Sequence, residues 1–389
     1  MIVSIRTIGR THVATFIHTA DWQIGRQYGQ FDVESGALLA EARFDTVAGI
    51  ARLAQARGVD AVLVAGDVFD TQAVSDRTIR RLFAALAAYA GPWVMIPGNH
   101  DAALAESVWT RAQALGCVPA NVHLALEPGV VRVSDTMAVL AAPLTQRHTY
   151  DDVTATFDRL DTPAGVLRIG LAHGSVTGKL DEGIDSANPI AADRAVTARL
   201  DYLALGDWHG CLRLDGRTWY SGTPEPERFR GNDPGDVLIV GIDAAGAEPV
   251  VDRLRVARYR WLSWQAPLLV DADIDALAQR LAPLGSDDVL RLEVSGSLTL
   301  AAWERLQGVL GEADARVRAL RADTTQVVLA PDAHDLSTLG LDGYVADVAN
   351  ALQAMQAEGD PAKGETARDA LRLLVQFQQE ATRAAGSPA

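Results

Sequence analysis

Over the first 250 residues, seven short apolar runs alternate with helical patterns, and five of the runs break off directly into a polar cluster. The runs are Ala14 to Ile17, Ala61 to Ala65, Trp93 to Ile96, Met137 to Ala141, Leu167 to Ala172, Tyr202 to Leu205 and Asp236 to Ile242. Between them, Phe44, Val47, Ala51 and Ala54 mark one amphipathic helix ending near Gly58. Ile79, Leu82, Phe83 and Leu86 mark a second, with Ser75 as its N-cap. This alternation is the pattern of an α/β domain.

The polar clusters are HTADWQIG with Asp21 and Gln23, AGDVFD with Asp67, PGNHD with Asn99, His100 and Asp101, AHG with His173, and GDWHG with Asp207 and His209. Strand ends are where an α/β sheet gathers ligands from distant parts of the chain into one crevice. Taken singly the clusters say little, because a Gly-Asp after a strand is most often a turn. Their order says more. Carboxylate, carboxylate, amide with histidine, histidine, and then a pair at i and i+2 supply donors for two metal ions sharing a carboxylate, since alternate residues on extended backbone point to one side.

The 389 residues suggest two or three domains. The composition, 48% apolar and 22% charged, is that of a folded chain. No stretch is long and apolar enough to span a membrane, and the N-terminal MIVSIRTIGRTHVATF lacks a signal peptide's apolar core. Two distant cysteines, Cys117 and Cys211, give neither a disulfide framework nor a thiolate zinc site, which fits a cytoplasmic protein. The net charge of -15 argues against coating nucleic acid by bulk electrostatics, so a polyanionic substrate must be held by local charge, metal ions or a partner.

The motifs HTADWQIGRQYG, VDAVLVAGDVFDT and PGNHD, followed by AHG, GDWHG and WYSGTPEPERF, resemble those of the calcineurin-like metallophosphoesterases, and within them the SbcD/Mre11-type DNA repair nucleases. The resemblance implies an α/β fold with a four-layer sandwich, two stacked mixed β-sheets flanked by helices. It also implies two divalent cations about 3.5 to 4 Å apart, which clamp the oxygens of an in-line displacement at phosphorus. Carried over, one cation takes Asp21, Gln23, Asp67 and His209, and the other takes Asp67, Asn99, His173 and Asp207. His100 matches the family's catalytic histidine, with Asp101 orienting its ring. Gln23 and Asp207 stand where the family usually has histidine. That oxygen-richer donor set favours Mn²⁺, or Mg²⁺, over Zn²⁺.

The implied activity is exonuclease action on DNA ends, with endonuclease action on single strands or hairpins. The implied partners are DNA and an SbcC/Rad50-like ATPase, and a homodimer is compatible with the resemblance. A phosphodiesterase or phosphatase acting on small molecules would use the same centre, and a non-catalytic DNA-end scaffold would keep it in altered form. Arg26 and Trp208 are candidates for substrate contact, with a salt bridge and packing as their competing roles. Trp22 is expected to pack beneath the site, His18 to act as hydrogen-bonding scaffold, and His12, His123, His148 and His334 to lie at the surface or in the core. The loop SGTPEPERFRG reads as a stiff turn bordering the cleft with Arg228 and Arg230.

The expected domains are a nuclease domain over 1–254, a small α+β cap-like domain over 255–340 and a helical segment over 341–389. In the second, DDVLRLEVSGSLTLAAWERLQGVLGE reads as a strand, a Gly-containing turn and a helix. In the third, Ala370, Leu373, Leu374 and Phe377 form an apolar stripe suited to docking, either on this chain or on a partner.

Overall fold

A computed structural model describes residues 12–179, 188–330, 343–357 and 360–385. His334, the first eleven residues and the expected boundary near residue 340 lie outside the described residues. The chain divides after Tyr259 into two units.

The first unit holds two six-stranded sheets. One contains β1 (Ala14–Thr19), β2 (Ala61–Ala65), β3 (Trp93–Ile96), β4 (Val122–Leu124), β13 (Asp236–Ile242) and β14 (Val250–Arg255), in the order β14-β13-β1-β2-β3-β4. The other contains β5 (Gly129–Arg132), β6 (Met137–Ala142), β7 (Leu167–His173), β10 (Tyr202–Gly206), β11 (Leu212–Arg213) and β12 (Thr218–Tyr220), in the order β11-β12-β10-β7-β6-β5. A two-stranded ribbon, β8 (Ser175–Val176) with β9 (Pro189–Ile190), follows β7. Both large sheets are mixed. β1 to β4 run parallel with β13 antiparallel to β1, and β6, β7, β10 and β12 run parallel with β5 and β11 antiparallel at the edges.

Strand alternation distributes the apolar runs to three cores. Val62 and Val64 of β2 face α1 (Val33–Arg57), α2 (Asp76–Ala85) and α3 (Val108–Ala114), packing with Val47, Ile50, Ile79, Leu82 and Trp109. Leu63 and Ala65 face the other way and meet Val139, Ile169 and Leu171 of the second sheet. The outer face of that sheet, with Leu140, Ala172 and Leu203, is covered by Phe157 and by Ala195 and Leu200, in and just after the short helix α4 (Arg194–Thr197). Helix, sheet, sheet and helix stack as four layers. All seven expected strands form, and the helix ends follow the caps read from sequence: Ser75 accepts from the Thr78 amide, and Gly58 closes α1 at φ 57°.

The second unit contains β15 (Arg260–Leu268), α5 (Ala272–Leu281), β16 (Asp288–Leu298), α6 (Leu300–Asp314) and β17 (Ala319–Leu329). All three strands are parallel, joined by crossover helices. The Ser295-Gly296-Ser297 stretch expected to turn instead lies inside β16, beside a register shift between Glu293 and Ser295. The turn is made by Thr299, whose side chain caps α6.

Two further helices, Gly343–Ala357 and Pro361–Ala385, share a core of Leu300, Leu329, Ala349 and Leu371 with this unit. The last helix docks through Ala367, Arg368 and Leu371 together with Leu374 of the expected stripe, whereas Leu373 and Phe377 of that stripe are 43% and 62% exposed. Arg368 wins the inward position because its guanidinium donates to the carbonyls of Thr324 and Val327, bonds that an apolar residue could not make. No helix among the described residues is long and apolar enough to cross a membrane.

Candidate metal centre

The loops after β1, β2, β3, β7 and β10 meet at one end of the two sheets. Those after β1 and β2 are locked together by backbone bonds from Asp21 N to Gly66 O (3.0 Å), Gln23 N to Asp67 O (3.0 Å) and Ile24 N to Val68 O (2.9 Å). Asp21, Gln23, Asp67 and Asp207 all adopt positive φ, at 54°, 49°, 52° and 101°. Left-handed backbone at a non-glycine residue costs about 1–3 kcal/mol and clusters at functional sites. Asp207 therefore does not sit on the extended backbone expected of an i, i+2 pair with His209. Asp207 turns into the site through this strained conformation, with its amide on the Asp21 carboxylate at 3.2 Å.

The approach of the loops leaves no room for side chains on the floor. A Cβ on Gly98 would lie 2.2 Å from Asp67 Oδ1, and one on Gly206 would lie 2.0 Å from Ala65 O. These two glycines let strands from both sheets bring their ligands within bonding distance of one another.

Ligand atoms of Asp21, Asp67 and His209 all lie within 4.8 Å of one another. His209 Nε2 is 4.0 Å from Asp21 Oδ1, while its Nδ1 lies at ion-pair distance from Glu227 Oε1, 2.8 Å, which favours a proton on Nδ1 and leaves Nε2 facing the cluster. On the other side, His173 Nδ1 donates to Ala65 O at 2.8 Å. That commits its Nε2 to face Asn99 Oδ1 at 2.9 Å, Asp67 Oδ1 at 3.6 Å and Asp207 Oδ1 at 3.9 Å. A neutral imidazole lone pair confronting three oxygens needs a cation, or a proton, between them.

Gln23 donates through Nε2 to Asp67 Oδ2 at 2.8 Å, and its Oε1 is buried without a donor. Spacings of 3 to 4 Å among these oxygens and nitrogens suit atoms sharing cations with bond lengths near 2.0–2.2 Å. The residues thus fit a pair of divalent ions. The charge balance points the same way. Burial pushes Asp21 and Asp207 up; burial alone would lower His173, but Asp67, Asp21 and Asp207 outweigh it and hold the ring above the ordinary histidine range. Carboxylate charge is in excess here, which is what metal ions offset.

His100 stands beside this cluster. Its backbone amide donates to Asp67 Oδ1 at 2.9 Å, its Nδ1 is 2.8 Å from Asp70 O, and its Nε2 is 4.0 Å from Asp67 Oδ2. The Asp70 carbonyl, and not Asp101, orients the ring. Asp101 is fully buried with both oxygens accepting backbone amides, Gly98 at 2.7 Å and Phe69 at 3.1 Å, so it braces the loop that presents Asn99 and His100.

Arg26 is also placed differently from a free phosphate ligand: its guanidinium is held by Asp70 at 2.9 Å and Glu227 at 3.1 Å. Trp208 does line the cleft above the cluster, a space of about 190 Å³ shared with Asn99, His100, Arg228 and Arg230. Trp22 packs beneath, edge-on to Trp93, with its indole N–H on Thr19.

Sequence reasoning missed Glu225 and Glu227 in the loop read as a stiff turn. Both are 2% exposed. Glu225 accepts from Thr46 Oγ1 and from the amides of Arg258 and Tyr259, which fastens the end of the first unit. Glu227 is an ionic hub: besides His209 and Arg26 it meets Arg43 at 3.5 Å and Arg228. Burial would raise its carboxyl, but His209, Arg43 and Arg228 hold it well below the carboxylate range. The Glu-x-Glu spacing inside SGTPEPERFRG is the one local signal that could have flagged them.

His18 is the scaffold residue expected, with Nδ1 3.0 Å from the Tyr202 hydroxyl and Nε2 3.1 Å from Leu205 O. Burial drives its pKa down from 6.5 to about 3, against the pull of the Leu205 carbonyl. Between those values the unfolded chain holds the extra proton, so the stability His18 confers is complete above pH 6.5 and lost as pH falls toward 3. Urea unfolding of His18→Gln should show an acid limb shallower than wild type by up to about 1.4 kcal/mol per pH unit. Parallel limbs would mean that His18 does not shape the acid limb.

Residues 14–241 match the model of the calcineurin-like phosphoesterases. The chain belongs to that family. It is 32% identical to the SbcD subunit of the nuclease SbcCD of Rhodobacter capsulatus, covering 54% of this chain and 62% of that one. It is 28% identical to the uncharacterized metallophosphoesterase YhaO of Bacillus subtilis, covering 50% and 48%. The chain thus spans about half to three-fifths of the length of these curated relatives. Among solved structures, TT1561 of Thermus thermophilus aligns at 14% identity and TM-score 0.39 over 63% of this chain and 99% of that one.

Proposed function

We propose that this phosphoesterase is a Mn²⁺-dependent DNA nuclease of the SbcD/Mre11 type, acting in the cytoplasm in DNA repair. The observation that carries the reading is the convergence of five loop ends on a shared carboxylate, Asp67, with His100 beside it. Asp21, Gln23, Asp67 and His209 would hold one cation, and Asp67, Asn99, His173 and Asp207 the other; Gln23 Oε1, buried with no donor, is a ready ligand oxygen. When bound, the two ions activate water and neutralise the phosphate.

The chain's own residues do the rest. With Nδ1 committed to Asp70 O, His100 carries a proton on Nε2 only as imidazolium. It would therefore meet the leaving oxygen or the phosphate as a cation, and the Asp70 carbonyl and the Arg26 clamp keep it aimed. Glu227 keeps His209 in the ligating tautomer. A cleft of about 190 Å³ admits a phosphate and its ions but not a whole drug-sized ligand, which needs about 300 Å³ or more, so specificity depends on what extends beyond it.

End-labelled DNA and bis-p-nitrophenyl phosphate, offered with Mg²⁺, Mn²⁺ and Zn²⁺, test the reading. DNA degradation greatest with Mn²⁺ and lost in His100→Ala is the expected result; robust turnover of the small ester with intact DNA would instead mark a small-molecule phosphodiesterase.

The relative named as part of the SbcCD nuclease supports an SbcC-like ATPase as partner. The outward Leu373 and Phe377 are the docking face we assign to it. Phe377→Asp should weaken capture of such an ATPase at least about tenfold, roughly the loss of one buried aromatic anchor; undiminished capture would move the contact elsewhere.

A further inference from the structure

Beyond His100 lies a second cavity, of about 310 Å³, that shares Asn99 and His100 with the metal-centre cleft. Anything extending past the centre on that side enters it. Its walls include Asp70, Gln72, Ala102, Leu104 and Arg147. The Asp70 carboxylate is neutralised by Arg26 at 2.9 Å. The Gln72 amide is satisfied by Ala102 O at 2.9 Å and the Val108 amide at 2.8 Å. Ala102 and Leu104 make an apolar side. Arg147 is exposed and has no ion pair among the described residues, so among them its guanidinium is the uncompensated fixed charge of the cavity.

That arginine is held in place at a cost. Asn188, 3% exposed and at φ 78°, donates to Arg147 O at 3.3 Å and accepts from Thr149 N and Oγ1 at 2.8 and 3.1 Å. Its own carbonyl takes the Ser175 amide at 3.0 Å, two residues after His173. From the other side, Ala103 N donates to Leu144 O at 2.9 Å. A strained, buried asparagine thus ties the Arg147 segment to the turn carrying a metal-ligand histidine. Backbone strain of this kind persists where the surrounding structure enforces it and collects at ligand clamps. Across His100, the first cleft has Arg228 and Arg230 on its wall. Cations therefore flank the centre on both sides.

We infer that this cavity receives the nucleotide next to the scissile phosphate, with that nucleotide's own phosphate on Arg147 and its sugar against Ala102 and Leu104. The substrate class is then a polynucleotide strand running across His100, and Arg147 is a specificity-determining residue that small esters do not reach. The inference rests on the phosphoesterase reading of the adjoining centre.

The test compares kcat/KM for a single-stranded DNA oligonucleotide and for bis-p-nitrophenyl phosphate, both with Mn²⁺, in wild type, Arg147→Ala and Arg147→Lys. The ratio of oligonucleotide to small-ester kcat/KM should fall about tenfold in Arg147→Ala, chiefly through KM, and recover in part in Arg147→Lys. The dependence of log(kcat/KM) on log[salt] for the oligonucleotide should flatten by about 0.7, one phosphate contact on a single strand. An unchanged ratio, or an unchanged salt slope, overturns the inference. If wild type cleaves the small ester and not the oligonucleotide, this inference falls while the phosphoesterase reading stands; if it cleaves neither, both fall.

Discussion

Asp67→Asn is expected to abolish metal-dependent phosphoester hydrolysis, by at least about three orders of magnitude in kcat/KM, with the fold retained. In the proposed centre Asp67 is the carboxylate both halves would share: one oxygen lies 3.6 Å from His173 Nε2, and the pair of oxygens accepts the His100 amide and the Gln23 side chain. An asparagine presents one acceptor in place of two, and its NH₂ must then face a donor. It also removes the negative charge that both cations of the proposed centre would share. Without metal, the same change relieves repulsion among buried acids, so metal-free Asp67→Asn should unfold at a temperature no lower than metal-free wild type. Residual Mn²⁺-dependent activity within about tenfold of wild type would show that Asp67 is not shared.

Glu227→Ala should produce the largest loss of stability of any single change near the site, about 3–5 kcal/mol by chemical denaturation. The reason is what it leaves behind. Arg43 has a side chain only 1% exposed; its hydrogen-bond partners, the Tyr28 hydroxyl at 2.8 Å and the Trp22 carbonyl at 2.7 Å, are neutral, and besides Glu227 the buried Glu225 carboxylate also supports its charge. Removing the carboxylate leaves that guanidinium buried without its ion-pair partner, supported by Glu225 from farther off, and frees His209 to change tautomer, so Mn²⁺ affinity should drop about 10- to 100-fold as well. Arg43→Met combined with Glu227→Ala should be less destabilised than the sum of the single changes, because each partner then no longer strands the other. Additive losses would mean the hub does not act as a unit.

The sheets were legible because their strands are buried on both faces and read as uninterrupted apolar runs, from Ala61–Ala65 to Asp236–Ile242. The candidate ligand positions stood out because each follows such a run at its polar end. What failed to show is long-range or half-exposed. Glu227 draws its partners from α1, from the loop after β1 and from the loop after β10, and ion pairs across such separations leave no periodic trace. Asp101 looked like a partner for His100 by adjacency; in space its carboxylate turns back to the Gly98 and Phe69 amides. β15 escaped notice because its burial is broken along its length, with Arg260 and Gln265 exposed. The final helix was legible only in part for a related reason: Leu374 of its apolar stripe packs inward while Leu373 and Phe377 face outward, and an arginine with two carbonyl acceptors holds an inward position.

The hydrolytic chemistry stands or falls on whether these loop ends hold two cations around one carboxylate. Electron paramagnetic resonance of the Mn²⁺-loaded protein, with metal content measured on the same sample, addresses this without relying on activity. We expect two Mn²⁺ per chain with the exchange-coupled spectrum of a closely spaced pair, and loss of that coupling in Asp67→Asn. Wild-type protein that binds a single uncoupled Mn²⁺, or none, would contradict the dinuclear centre and the chemistry built on it.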